Sequence, residues 1–155
     1  MKIIFSFICI SIFLFGCQSS PLQSKKNTLE LQNKNLVNNT SQNPEVAYLI
    51  KEGLALIDKN DLKKASKTFN TALQLDMTNS HLQFLNANTY HVMALQYDTS
   101  YFDLAVEGYK LSINLDNTNW YPRYYLGLLY LDKKDYSSAQ DYLADALLYN
   151  TEDPD

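Results

Sequence analysis

The chain of 155 residues has only two cysteines, Cys9 and Cys17, both near the N-terminus. Everything after residue 17 therefore has no thiol nucleophile, no disulfide and no cysteine to complete a zinc site. Histidine is as scarce. His81 and His91 lie ten residues apart, about 15 Å along a straight helix, too far to share a metal ion. Glycine is scattered and builds no phosphate-cradling loop. Basic charge is short as well. From Glu45 to Asp155 there are nine Lys plus Arg against sixteen Asp plus Glu, so the basic face that nucleic acid requires is missing. Long apolar runs are also absent. The longest, Ile3 to Phe15, has thirteen residues, two of them serine, too few to span a bilayer as a helix. No nucleophile stands beside a base. Asp141 and Asp145 fall one turn apart on an outer helix rather than in a cleft with opposed environments. Ser137-Ser138 is explained by capping a helix start. These absences argue against an enzyme and imply no cofactor and no metal.

What is present begins with an export pattern. Met1-Lys2 precedes the short apolar run, which fits the core of a secretory signal over residues 1–16. It closes in Leu14-Phe15-Gly16-Cys17. This resembles the bacterial lipobox, in which cleavage before a cysteine follows its acylation. The resemblance implies lipidation of Cys17, with an ordinary secretory signal and a chance cysteine as the plainer alternative. Two or more acyl chains hold a protein stably on a membrane. Gln18 rather than Asp follows the cysteine, which resembles lipoproteins sent to the outer membrane of Gram-negative bacteria. The expected location is thus the bacterial cell envelope, at the outer membrane and facing the periplasm.

Residues 17–44 form a second region, rich in Asn, Gln, Ser and Lys, with no aromatic residue. Disorder is the expectation, with a transient helix around the leucines at 29, 31 and 36 as the alternative. A flexible coil of 27 residues reaches about 30 Å end to end, enough to hold a domain off a membrane. The acidic domain is repelled by anionic lipid, so the lipid anchors and the domain faces away.

From residue 45 to 155 one pattern recurs. Gly53, Ala65, Phe69 and Ala72 have the spacing of Gly127, Ala139, Leu143 and Ala146. Ala87 lies 34 residues after Gly53, and Gly127 lies 40 after Ala87. The six extra residues fall between Tyr90 and Ala105, where they lengthen the third helix or its following turn. Beyond them Ala105, Tyr109 and Ser112 resume the spacing. The periodicity predicts helices near 45–58, 61–75, 79–96, 101–114, 120–132 and 136–149. Asn60-Asp61, Asn79-Ser80, Thr99-Ser100, Asn119 and Asp135 are the expected caps.

These offsets resemble the tetratricopeptide repeat (TPR) family, whose unit is a 34-residue helix–turn–helix. The resemblance spans about Val46 to Asp153. It implies an all-α fold, an α-solenoid of three TPR-like helix pairs at about 46–79, 80–119 and 120–153. There are departures. Leu49, Gln83 and Arg123 stand at the family's Trp-like position, Met77, Asn117 and Thr151 at its usual proline, and Glu52 and Asn86 at a position expected to be apolar.

In the family the first helix of each pair lines a peptide-binding groove. The resemblance therefore implies a partner-binding groove of Ala47, Ile50 and Leu54, then His81, Phe84, Asn88 and His91, then Tyr121, Tyr124, Leu128 and Leu131. Ordinary packing between repeats is the competing role for each. A clamp for a peptide carboxylate is not supported, since Lys51 and Arg123 are almost the only basic residues nearby. The expected function is a lipid-anchored scaffold for protein–protein interaction in the envelope. Lipoproteins of this architecture include assembly factors for pili and secretion, outer-membrane protein assembly subunits and adaptors for cell-wall enzymes. Asp153-Pro154-Asp155 resembles the start of a further helix. The last pair is thus expected to leave some of Tyr142, Leu143, Leu147, Leu148 and Tyr149 uncovered. Three readings stay open there: a longer protein whose functional C-terminal part is missing, self-association through that pair, or a tolerated exposed face.

Overall fold

The computed structural model describes residues 43–150, which form six helices and no strand. They are α1 (Pro44–Asp58), α2 (Leu62–Leu75), α3 (Ser80–Gln96), α4 (Tyr101–Leu115), α5 (Tyr121–Asp132) and α6 (Tyr136–Tyr149). The signal, Cys17, the tether up to residue 42 and the Asp153-Pro154-Asp155 end lie outside the described residues. Among the described residues no helix is long and apolar enough to cross a membrane.

Local chemistry sets the helix starts. Pro44 takes the first position of α1, where its missing N–H is not needed, and Asn43 Oδ1 accepts from Glu45 N at 3.0 Å. Asn79 Oδ1 accepts from Leu82 N at 2.9 Å, and Asp135 Oδ1 from Ser138 N at 3.2 Å. Asn119 Oδ1 accepts from Tyr121 N at 3.1 Å. One expected cap is corrected: neither Thr99 nor Ser100 caps α4 through its side chain. Asp98, two residues before Ser100, does the work instead, its Oδ1 accepting from Ser100 N at 2.8 Å.

The first and third pairs turn identically. Asn60 and Lys134 both adopt the left-handed backbone, with φ of 58° and 62°. Asp61 N then donates to Leu56 O, and Asp135 N to Tyr130 O, each at 2.9 Å, closing the last carbonyls of the preceding helix. The second pair differs because of the six extra residues. Most of them extend α3, which runs nine residues past Ala87 where α1 and α5 run five past Gly53 and Gly127. The rest lengthen the turn and the first turn of α4.

Each helix packs on its neighbours in sequence, and α3 also touches α5. Within pairs, small residues let the helices meet. A Cβ on Gly53 would overlap the Phe69 ring, and one on Gly127 would come within 2.7 Å of Leu143 Cγ. In the middle pair Ala87 keeps its methyl and Gly108, on the facing helix, gives way instead. α2 shows the one-sided burial of an outer helix: Leu62, Ala65, Phe69 and Ala72 are buried, while Lys63, Lys64 and Lys67 are exposed. In α3, by contrast, eleven of seventeen residues are buried, because α2, α4 and α5 all pack against it.

Candidate partner-binding surface

The structure separates the expected groove residues into two groups. Ile50, at 1 % exposure, belongs to the core with Val46 and Phe69, and Leu54 is half-buried against it. His81, Phe84, Asn88 and His91 of α3 are buried too. They present almost no surface: Phe84 and His91 reach the third pair, while Asn88 bonds Tyr109 and His81 stacks on Phe84 within the second. Phe84 meets the Tyr125 ring edge-on at 5.2 Å and Tyr109 at 6.0 Å. Inter-repeat packing thus occupies these positions.

A chain of polar contacts threads the same layer. Tyr109 Oη donates to Asn88 Oδ1 at 3.1 Å and lies 3.4 Å from His91 Nδ1. His91 Nε2 reaches Asp132 Oδ2 at 2.9 Å, across 41 residues of chain. Burial, with Tyr125 and Asp132 nearby, raises the Tyr109 pKa well above its usual 10. Burial, together with Tyr124 and Tyr121, pushes Tyr125 up to about 12. Both phenols therefore stay protonated; Tyr109 acts through its hydroxyl and Tyr125 through its ring contacts with Phe84 and Tyr109. The arrangement orders the second pair against the third. Among the described residues no group of three or more His, Cys, Asp or Glu is placed to hold a metal ion.

The second group is on α5. Tyr121, Tyr124, Leu128 and Leu131 fall at helical spacing on one face. Tyr121 and Leu128 are half-buried, and Tyr124 and Leu131 are each 39 % exposed. Trp120, which the groove assignment left out, stacks on Tyr121 with ring centroids 4.0 Å apart and meets Tyr124 edge-on at 5.9 Å. The result is an aromatic platform, half-sunk and held in place by its own neighbours. Such rings offer a large apolar area at little loss of side-chain freedom, which suits a partner-binding anchor.

Arg123 also has a place the repeat spacing did not disclose. It stands at the Trp-like position and does a flat ring's work, its guanidinium 3.9 Å from the Tyr149 ring centroid. Its Nε donates to Asp145 Oδ2 at 2.7 Å and its Nη1 to Asn119 O at 3.2 Å. α6 is thereby tied to α5, with Tyr142 stacked on Tyr130. The outer face of α6 carries Leu147 and Leu148, 73 % and 76 % exposed.

No family model matches the sequence, and no curated protein does either. Solved structures do match in fold. The chain is similar to the type III secretion translocator chaperone SycD of Yersinia enterocolitica. Identity is 17 %, coverage is 73 % of this chain and 81 % of that one, and the TM-score is 0.65. The same chaperone in complex with a peptide of the translocator YopD gives 17 % identity, 69 % and 77 % coverage and a TM-score of 0.60. A chain of the CopN–Scc3 complex gives 19 % identity and a TM-score of 0.61. There the match covers 70 % of this chain and 61 % of that one, so this chain spans about three-fifths of its length. The fold is a TPR-like solenoid. At these identities the likeness concerns fold alone.

Proposed function

We propose that this domain binds a segment of a partner protein on the α5 platform, and that lipid on Cys17 holds it at a bacterial envelope membrane. The aromatic cluster of Trp120, Tyr121 and Tyr124, continued by Leu128 and Leu131, carries the first part of the reading. It is partly exposed and apolar, and its rings are held by their own stacking. The sequence around Cys17 supports the second part. The similarity to a chaperone solved with a translocator peptide makes assembly of a pilus or a secretion complex the first process to test. Outer-membrane protein assembly and cell-wall enzyme adaptation come next.

The test is an in-cell cross-linking capture with a C-terminal tag. Wild type is compared with a Tyr124→Ala, Leu131→Ala variant, at positions each 39 % exposed, after circular dichroism has shown that its helix content matches wild type. One envelope protein captured by the wild type and lost in the variant supports the platform. Equal capture by both removes it. For the anchor, Cys17→Ser should move the protein from the membrane fraction to the soluble fraction and abolish labelling by a radioactive fatty acid. Retention in the membrane would sink that half of the reading. A second reading, self-association through the outer face of α6, draws on the exposed Leu147 and Leu148. A monomeric mass by light scattering at micromolar concentration rules it out.

A further inference from the structure

The second helix of each pair carries one stripe in the same register. It is Leu62, Ser66 and Leu73 on α2, Phe102, Val106 and Ile113 on α4, and Tyr136, Gln140 and Leu147 on α6. Each set stands at i, i+4 and i+11, on one face of its helix. Leu62 and Phe102 are 2 % and 8 % exposed, Ser66 and Val106 are buried, and Leu73 and Ile113 are half-buried. On α6 Tyr136 is 67 % exposed, and Gln140 and Leu147 are open as well.

The difference lies in the cover. The first helix of the next pair closes the stripe of α4. Lys133, at the end of α5, holds its Nζ 5.9 Å from the Phe102 ring centroid, and Tyr125 lies against Tyr109 with centroids 6.5 Å apart. α3 packs on α2 in the same order. Each covering helix brings residues at i, i+3, i+7 and i+11. On α3 these are Leu82, Leu85, Thr89 and Met93, all buried, and on α5 Pro122, Tyr125, Leu129 and Lys133.

α6 is also wider in apolar surface than its counterparts. Where α2 has Asn70 and Gln74 and α4 has Lys110 and Asn114, α6 has Ala144 and Leu148, both exposed. A solenoid end that faces water calls for a polar outer face. Here the sequence does the reverse, and burying Leu147 and Leu148 under a helix is favourable by transfer from water.

The chain does not supply that helix. In residues 18–42 and 151–155 no set at i, i+3, i+7 and i+11 holds more than two apolar residues. In a second copy the stripes of α3 and α5 are already packed inside. The corresponding residues on the open face of its α1 are Tyr48, Lys51, Ala55 and Lys59, two of them charged.

We propose that the open face of α6 docks an amphipathic helix of a partner protein, with apolar residues at i, i+3, i+7 and i+11. That helix lies on α6 as α5 lies on α4 and continues the stacking by one layer. The site is separate from the α5 platform and does not depend on it.

The test titrates the full chain with an end-blocked, alanine-rich helical peptide that carries Leu, Leu, Thr and Met at the α3 spacing. The Leu147 and Leu148 methyl resonances are followed by NMR. A control peptide has the same composition with those four residues spread around the helix. Saturable shifts of both methyls are expected, with the control at least fivefold weaker. A Leu147→Glu, Leu148→Glu variant, shown by circular dichroism to keep its helix content, should also bind at least fivefold more weakly. The Tyr124→Ala, Leu131→Ala variant should bind like wild type. No methyl shift at millimolar peptide overturns the proposal, and so does equal binding of the two peptides. Shifts that track protein concentration without peptide overturn it by giving the face to a second copy. Methyls that a soluble paramagnetic agent fails to broaden before peptide is added overturn it by giving the face to the chain's own residues.

Discussion

Replacing His81 by leucine should remove a specific part of the domain's acid sensitivity. The imidazole lies in the first turn of α3, stacked on Phe84 at a centroid distance of 6.2 Å, and its Nε2 has no partner. Burial lowers its pKa from 6.5 to about 4, so the folded chain holds the neutral ring while the unfolded chain takes up a proton near 6.5. Above pH 6.5 both states are neutral and His81 costs nothing through protonation. As the pH falls from 6.5 to about 4 the unfolded state binds more protons than the folded one, and stability drops. Below about 4 the loss is complete. At 1.36 kcal/mol per tenfold change in proton affinity the full loss is about 3 kcal/mol, of which about 2 kcal/mol has appeared by pH ~4.5. The carboxyls with resolved shifts act lower. Hydrogen bonds from Lys64 to Asp61, from Ser100 to Asp98 and from Ser138 to Asp135 hold these carboxyls below 3.8. Their contributions are present above that value and fade only in stronger acid. Urea unfolding followed by circular dichroism, at pH ~7 and ~4.5, gives the comparison. His81→Leu should lose about 2 kcal/mol less than wild type over that interval. At neutral pH it should be no less stable, since it also deletes an unpaired polar atom. Equal losses in the two proteins would refute the reasoning, because the ring would then be accessible to protons in the folded state.

Three further outcomes follow from the packing. Gly127→Ala adds a Cβ within 2.7 Å of Leu143 Cγ and 3.2 Å of Leu143 N. Overpacking outweighs the gain in helix propensity, a net loss of about 1–2 kcal/mol and a lower Tm in a thermal melt. Arg123→Lys cannot keep both the stack on Tyr149 and the bond to Asp145. It should cost about 2 kcal/mol and speed amide hydrogen exchange in α6 while leaving α1 unchanged. Asn79→Ala removes the acceptor for Leu82 N, and denaturant unfolding should show a loss of about 1 kcal/mol.

Much of the fold was legible because it is local. The helix bounds agree with the periodicity to within about two residues, since apolar spacing and a few caps act within a single turn. The site was less legible. Helical spacing places Ile50, Phe84, Asn88 and His91 on the same kind of face as Tyr121 and Tyr124. It does not say which of those faces the next repeat covers. The polar departures at Asn86 and Arg123 were visible in the sequence, yet their partners Asn70, Asp145 and Tyr149 lie 16 to 26 residues away.

By itself, then, the sequence determined six helices, three pairs and the small residues at which paired helices meet. Each of those follows from interactions between residues near in the chain or repeated at one spacing. Tertiary structure alone decided that α3 is enclosed while α5 keeps an aromatic face, and that His91 finds Asp132. Those outcomes depend on how one pair stacks on the next. Stacking is set by the summed fit of side chains from three helices at once.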